Sequence, residues 1–223
     1  MMRKVLFATP SYDGRIHVDY MYSLLETIKL AAENNIALYP VVISHDALVQ
    51  RVRNDFAKMA LETDCDDLVF MDCDQEWDPI WVLRLLSHDV DVVGCPVPKK
   101  SDINIDFNII KIKGEQINDQ GLLIVKSIGT GFLRISKNAL EQIWNISPSY
   151  IEKEKETRMI FDVQVIDNEL YSEDTVFCKK WRDVGGTVYA DTTMTCNHIG
   201  NKKYGGNFAE FYKSLLLSDQ SST

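Results

Sequence analysis

Two carboxylates one residue apart, Asp72 and Asp74, follow the apolar run Leu68-Val69-Phe70-Met71. Four apolar residues bounded by acids have the length of a short buried strand and are too few for a globular helix. Side chains i and i+2 of an extended segment share one side, and a turn at a strand's end also lets two carboxylates converge on one hard cation. Mg²⁺ and Mn²⁺ take oxygen ligands of this kind and keep positions open for substrate phosphates. Taken alone, such a pair more often begins a polar turn. The rest of the chain changes that balance.

Tyr171-Ser172-Glu173-Asp174-Thr175 opens a helical pattern, with Ser172 placed as an N-cap and the acids in the first turn, where the helix dipole favours them. That placement explains both acids without function, yet a carboxylate at a cleft-facing helix start can accept the proton of an attacking alcohol. Thr195-Cys-Asn-His198-Ile-Gly200 adds an imidazole, a frequent ligand for transition metals, although a lone histidine is usually structural. Lys202-Lys203-Tyr204-Gly205-Gly206 reads as a flexible basic segment suited to closing over phosphates. Near the start, Thr9-Pro10-Ser11-Tyr12-Asp13-Gly14 is rich in turn residues; Tyr12 could stack on a base while Thr9 and Asp13 bond one. Arg51, Arg53 and Asn54 lie early in a helix, and the planar arginine fork suits a diphosphate, although surface helices often carry arginine anyway. Lys99 and Lys100 end a strand-like run and read first as a solvated pair. Gly129-Thr130-Gly131 would let a substrate approach the backbone, or mark a bulge.

The elements that must position these groups alternate. Val5 to Ala8 reads as a first strand, and Val18 to Glu33 as a helix with an apolar stripe at 18, 21, 25, 28 and 32. Ile36 to Ile43 is a second strand, with Pro40 pointing to an edge or a bulge. A helix over Ser44 to Thr63, the strand 68–72, a helix capped by Asp78-Pro79 and a strand over Val90 to Val97 continue the β-α-β order of an α/β sheet. Phe107 to Lys113 and Leu122 to Ile128 flank a polar turn, which predicts an antiparallel part of a mixed sheet. Ser136 caps a helix to about Trp144, and the charged stretch 146–158 is expected to be a solvated connector. A helix from Ser172 to Gly185, a strand from Thr187 to Asp191 and a helix around Phe208, Phe211, Tyr212, Leu215 and Leu216 complete the chain.

Composition bounds the possibilities. With 223 residues, 45% apolar and 26% charged, the chain has the make-up of one globular domain, expected over 1–217 with a frayed tail over 218–223. No apolar run approaches the ~20 residues of a membrane span, so no integral membrane association is expected. The short apolar run before Thr9-Pro10 fits a core strand better than a signal peptide. Five cysteines without a C-x-x-C pair predict a reduced, cytoplasmic protein with neither disulfides nor zinc. A net charge of −9 argues against a broadly basic nucleic-acid surface, so an anionic substrate would need a metal or local Arg and Lys to hold it.

Together, Thr9-Pro-Ser-Tyr12, Arg51-Val-Arg-Asn54, Phe70-Met-Asp-Cys-Asp74, Gly129-Thr-Gly-Phe132, Ser172-Glu-Asp174 with Phe177-Cys-Lys-Lys-Trp181, and Asn197-His-Ile-Gly200 resemble the motifs of a compact GT-A glycosyltransferase, similar to the family 2-like enzymes of bacteria and large phages. The resemblance spans nearly the whole chain in the family's order. It implies a single GT-A-like, Rossmann-like α/β domain with a mixed, mainly parallel sheet flanked by helices. It further implies Mn²⁺ or Mg²⁺ on Asp72, Asp74 and His198, and a nucleotide-sugar donor, expected to be a UDP-sugar, held by Thr9, Pro10, Tyr12, Arg53, Asn54, Asp72 and Lys203. Asp174 would be the acceptor's base, with Glu173 beside it binding sugar. The acceptor would be a glycan, a lipid-linked sugar or a modified base in DNA, and a phage enzyme would work in the host cytoplasm. Cys73, between the two acids, departs from the commoner small or polar residue, and its side chain is expected in the core. A nucleotidyltransferase of related fold would instead lead with a Gly-rich phosphate loop carrying a basic residue, which is not seen. A non-catalytic nucleotide-sugar or glycan-binding module is the other alternative.

Overall fold

The computed structural model describes residues 2–152 and 154–220. β1 (Arg3–Ser11), α1 (Val18–Glu33), β2 (Ile36–Ser44), α2 (Val49–Glu62) and β3 (Asp67–Met71) form the N-terminal half, in which β1 pairs in parallel with both β2 and β3. β4 (Gln75–Trp77), α3 (Ile80–Ser87) and β5 (Val92–Gly94) follow. The antiparallel pair β6 (Ile109–Lys111) and β7 (Leu122–Ile128) precedes β8 (Phe132–Ser136) and α4 (Lys137–Ile146). Two hairpins, β9 (Ser149–Glu152) with β10 (Lys155–Arg158) and β11 (Gln164–Ile166) with β12 (Glu169–Tyr171), lead into α5 (Glu173–Asp183). The chain ends with β13 (Val188–Asp191), β14 (Cys196–Ile199), β15 (Lys203–Tyr204) and α6 (Phe208–Gln220).

The central sheet has the order β2-β1-β3-β8-β5-β13-β7-β6. Its pairings make β8 and β7 run against the other strands, so the sheet is mixed with a majority direction. β3 lies deep within it, which explains an apolar run without alternation: the strand is covered on both faces. Leu68 and Phe70 enter one core with residues of α2, α4, α5 and α6, while Val69 and Met71 enter the other with Tyr20 of α1 and Val82 and Leu85 of α3. The base of β3 is held by ions. Asp67 is fully buried and accepts Arg3 Nε at 2.5 Å and Arg134 Nε at 2.6 Å, tying β1 and β8 to it.

Several expectations shift. β1 runs on through Thr9 and Pro10 to Ser11, because its ladder with β2 continues to the Ser11–Ser44 pair. β2 therefore takes Ser44, expected to open α2, and that helix starts only at Val49, after Asp46 accepts the Leu48 N–H (2.8 Å). Pro40 does lie on the edge strand. The strand over Val90 to Val97 shrinks to β5, since the chain leaves the sheet at Cys95-Pro96. The connector at 146–158 is the β9–β10 hairpin, whose cross-strand pairs are mostly polar and leave no apolar alternation to read. Of the expected tail, the backbone is helical through Gln220, and residues 221–223 lie outside the described residues.

α1 turns the other way from its apolar stripe. Val18 (63% exposed) and Leu25 (55%) face out, while Tyr20, Ser23, Thr27 and Ala31 are buried. Trp77 of β4 supplies the reason, because its buried polar groups need partners. Ser23 Oγ donates to the Trp77 carbonyl (2.9 Å) and accepts its N–H (3.1 Å), and Thr27 Oγ1 accepts the indole N–H (3.0 Å). Tyr20 meets Thr9 in a short hydroxyl–hydroxyl bond, and burial pushes its phenol up to about 12. Above pH 10 the unfolded chain loses this proton while the native state keeps it, so stability falls as pH rises from 10 to 12. Urea unfolding across that range should show a loss that Tyr20→Phe removes, amounting to at most about 2–3 kcal/mol from a shift worth ~1.4 kcal/mol per unit. Matching slopes in the two proteins would refute this assignment.

Candidate functional site

The ladder between β3 and β8 closes on one last bond, from the Asp72 N–H to the Gly131 carbonyl (2.9 Å). Beyond it the chain turns through Asp72-Cys73-Asp74 into β4, at the carboxyl end of a mainly parallel sheet, where open α/β folds gather ligands. A side chain at 131 would collide here: its Cβ would stand 2.5 Å from Gln75 Nε2 and 3.0 Å from Asp72 Oδ2. Glycine at this position is a matter of close approach.

A second, small sheet brings His198 in. β4 pairs antiparallel with β14, placing Gln75 opposite His198, and the Ile199 N–H donates to the Asp74 carbonyl (2.7 Å). His198 Nδ1 donates to the Pro98 carbonyl (3.0 Å), leaving Nε2 facing Asp74 Oδ2 at 3.4 Å. A backbone acceptor on one ring nitrogen is the usual way to present the other to a metal. The loop after β5 that supplies Pro98 is also in contact with β14 through Cys95 Sγ and Cys196 Sγ, 3.8 Å apart. All five cysteines are free thiols.

Each acid in the turn also meets a cation. Arg53 Nη2 lies 3.5 Å from Asp72 Oδ1, and its Nη1 makes a short ion pair with Glu173, so one buried guanidinium joins α2, the turn and the start of α5. Lys100 Nζ lies 2.5 Å from Asp74 Oδ2. Burial raises Asp74, but hydrogen bonds from His198 and Lys100 outweigh it and hold its carboxyl at about 2. Burial dominates at Asp72 and pushes its carboxyl up, with Arg53 opposing.

A cavity of about 330 Å³ opens beside this turn, bounded by Pro10, Tyr12, Asp46, Arg53, Asp72 and Asp74. Tyr12 stands on its rim, 74% exposed. Cys73 also lines it, contrary to the expectation that this side chain enters the core. A second cavity of about 360 Å³ is bounded by Asp174, Tyr171, Glu169, Asn108 and Gly129. Gly129 lines this second cavity, and Gly131, two residues on, lies against Asp72, which borders the first. Asp174 accepts the Thr175 N–H (2.7 Å) and a short bond from Ser172, which spends the Ser172 hydroxyl there and leaves the N-cap position without a side-chain cap.

The structure thus gathers Pro10, Tyr12, Arg53, Asp72, Asp74, Glu173 and His198, with Asp174 in the neighbouring cavity. Three expected residues stand elsewhere. Thr9 is buried against Tyr20 and does not border the cavity. Asn54 is fully buried and spends its amide on Phe161, accepting its N–H (2.7 Å) and donating to its carbonyl (3.0 Å), which fastens the segment after β10 to α2. Lys203 lies in β15 and pairs with Asp19 and Glu76, each at 2.9 Å, in place of closing over phosphates. Among the described residues, no three His, Cys, Asp or Glu side chains close into a metal cage. Asp74 and His198 nevertheless form a two-ligand set of the right chemistry, oxygen and a correctly presented imidazole nitrogen.

Lys100, read from the sequence first as half of a solvated pair, instead meets Asp74 and takes the place at the site expected of Lys203. Gln75 was not singled out from the sequence. It is fully buried, and neither its Nε2 nor its Oε1 has a hydrogen-bond partner; the same holds for the buried Arg53 Nε.

No family profile matches the chain, and no curated protein matches it in sequence. Among solved structures it is similar to A197 from STIV, at 20% identity and a TM-score of 0.58 over 93% of this chain and 91% of that one. It also matches a mutant of Drosophila β-1,4-galactosyltransferase 7 in complex with manganese, UDP-Gal and xylobiose (14% identity, TM-score 0.49, 85% of this chain and 65% of that one). A further match is a glycosyltransferase involved in glycosylating the major capsid of PBCV-1 (12%, TM-score 0.35, 61% and 62%). The chain has a mixed α/β fold, and it shares that fold with A197 from STIV.

An unpartnered buried amide costs stability unless a ligand answers it. Gln75→Leu should therefore stabilise the free protein by about 1 kcal/mol in urea unfolding. Destabilisation by this substitution would show that the Gln75 side chain serves packing and that its unpaired amide carries no net cost.

Proposed function

We propose that this chain is a metal-dependent glycosyltransferase, moving a sugar from a nucleotide diphosphate donor, a UDP-sugar, to an acceptor hydroxyl on a glycan or a modified DNA base. The observation that carries the reading is the convergence at one strand end of Asp72, Asp74 and a pre-oriented His198 with Arg53 and Lys100. Carboxylates and imidazole suit a divalent ion, and the two cations suit a diphosphate.

Asp74 and His198 would hold Mn²⁺ or Mg²⁺, with Asp72 completing the acidic face toward the donor. When bound, the ion supplies Lewis-acid neutralisation of charge on the departing diphosphate. Tyr12, exposed on the cavity rim, offers a ring for the base, and Pro10 borders the same space. Arg53 meets phosphate or sugar from the floor, held in place by Glu173. The acceptor enters the cavity of Asp174. Its hydroxyl oxygen bonds to the anomeric carbon as the bond from that carbon to the diphosphate oxygen breaks. The hydroxyl proton passes to Asp174, and the electron pair leaves on the diphosphate. Glu173, whose carboxylate is engaged by Arg53, has the part of positioning that arginine and contacting sugar.

Isothermal titration with UDP, GDP and their sugar conjugates, with and without Mn²⁺, tests the donor site. One nucleotide should bind in a metal-dependent way, and Asp74→Ala should abolish it; equal binding by wild type and variant would remove the centre of the reading. Asp174→Asn should keep that nucleotide affinity while slowing sugar transfer by about a hundredfold or more, the usual weight of a general base. Transfer at the wild-type rate in this variant would dismiss Asp174 from the chemistry.

A further inference from the structure

We infer that Lys100 is a resident counter-cation of the metal position, which a divalent ion must displace from Asp74 and which the donor's diphosphate then receives. The inference rests on the proposed donor site and adds a residue and an order of events to it. Lys100 Nζ contacts the same carboxylate oxygen, Asp74 Oδ2, that faces His198 Nε2. The ammonium therefore occupies the same carboxylate oxygen that a divalent ion held by Asp74 and His198 would need.

The placement is built into the backbone. The Asn108 N–H donates to the Val97 carbonyl (2.9 Å) and the Lys99 N–H to the Asp106 carbonyl (2.8 Å), so the base of the Lys100 loop is held as a ladder. Pro98 of this loop orients His198, so one segment both presents the imidazole and supplies the competing charge. The neighbouring Lys99 is drawn away to Asp106 at 2.7 Å. Gly200 clears the track of the Lys100 stem: a Cβ there would stand 3.2 Å from Lys100 Cδ.

Energetics permit exchange. The Lys100 and Asp74 side chains are 35% and 25% exposed, so the pair is neither dry nor locked, and pairs of this kind are worth little on their own. A lone metal must displace the ammonium from its carboxylate with nothing offered in return. A metal arriving with a diphosphate brings the displaced lysine a new anionic partner. Metal and nucleotide should consequently bind with positive coupling, which is reciprocal by linkage.

Lys100→Gln separates the two parts of the role. Free Mn²⁺ measured by electron paramagnetic resonance, without nucleotide, should show the variant binding the ion about fivefold more tightly than wild type, the scale expected for losing a part-exposed pair. In saturating Mn²⁺, calorimetry should show it binding UDP about tenfold more weakly, while Lys100→Arg retains most of that affinity. Opposite signs for the two ligands are not produced by a merely structural lysine. Mn²⁺ affinity that is unchanged or weaker in Lys100→Gln, with wild-type UDP binding still dependent on Asp74, would overturn the inference and leave the donor site standing. Absence of Mn²⁺ and UDP binding in wild type as well would overturn both.

Discussion

Everything at the site depends on where the β3–β8 ladder stops. Its last bond, Asp72 N–H to Gly131 O, is possible because residue 131 has no side chain to strike Gln75 and Asp72. Up to that bond, β3 is fixed from every direction: by strands on either side, by apolar layers above and below, and by the Asp67–Arg134–Arg3 cluster at its base. After it, the chain is free to turn, and two carboxylates leave the sheet within three residues. A rigid strand ending in a short turn is a precise way to aim acids, since elements hold geometry better than loops.

The second constraint is charge. The chain carries net charge −9, yet each functional acid at the turn has a cation against it. Arg53 is nearly buried and shared between Asp72 and Glu173, and a buried guanidinium needs both to offset its desolvation. Its Nε nevertheless lacks a partner, as does the whole amide of Gln75 on the other side of Asp72. Polar atoms of this kind are rare in folded interiors, and when they cluster at a cavity they mark a place that a ligand or water completes. The acids at the turn are thus matched with cations, while Arg53 Nε and the Gln75 amide have no hydrogen-bond partner among the described residues.

How far this was legible in the sequence follows the same physics. β3 was plain, because double-sided burial writes itself as an unbroken apolar run and the acids mark its end. One helix start set by local chemistry was also plain, that of Ser136, whose Oγ accepts the Ala139 N–H at 3.1 Å. The buried face of α1 was not legible. Its apolar stripe pointed outward because Trp77, far along the chain, needed hydroxyls from Ser23 and Thr27 more than the core needed Val18 or Leu25. Asn54 looked like a ligand residue and proved to be a clamp on the backbone of Phe161, a non-local demand that no spacing reveals. The two lysine pairs, Lys99-Lys100 and Lys202-Lys203, are alike as sequence. Only the pairing of β14 with β15 and β4 sends Lys203 to Glu76 and leaves Asp74 to Lys100.

Glu173 and Asp174 show how adjacent identical charges acquire different work. Successive residues at a helix start differ by about 100° in direction, as 3.6 residues per turn requires. With α5 packed through Val176, Phe177 and Trp181, that rotation turns Glu173 inward to Arg53 and leaves Asp174 in the adjoining cavity. The first acid is engaged by a buried guanidinium. The second is held through Oδ1 by Ser172 and by a backbone N–H, and among the described residues its Oδ2 makes no hydrogen bond. A division between a paired carboxylate and a cavity-lining one thus separates these neighbours. It comes from one step along a helix whose other side is pinned to the core.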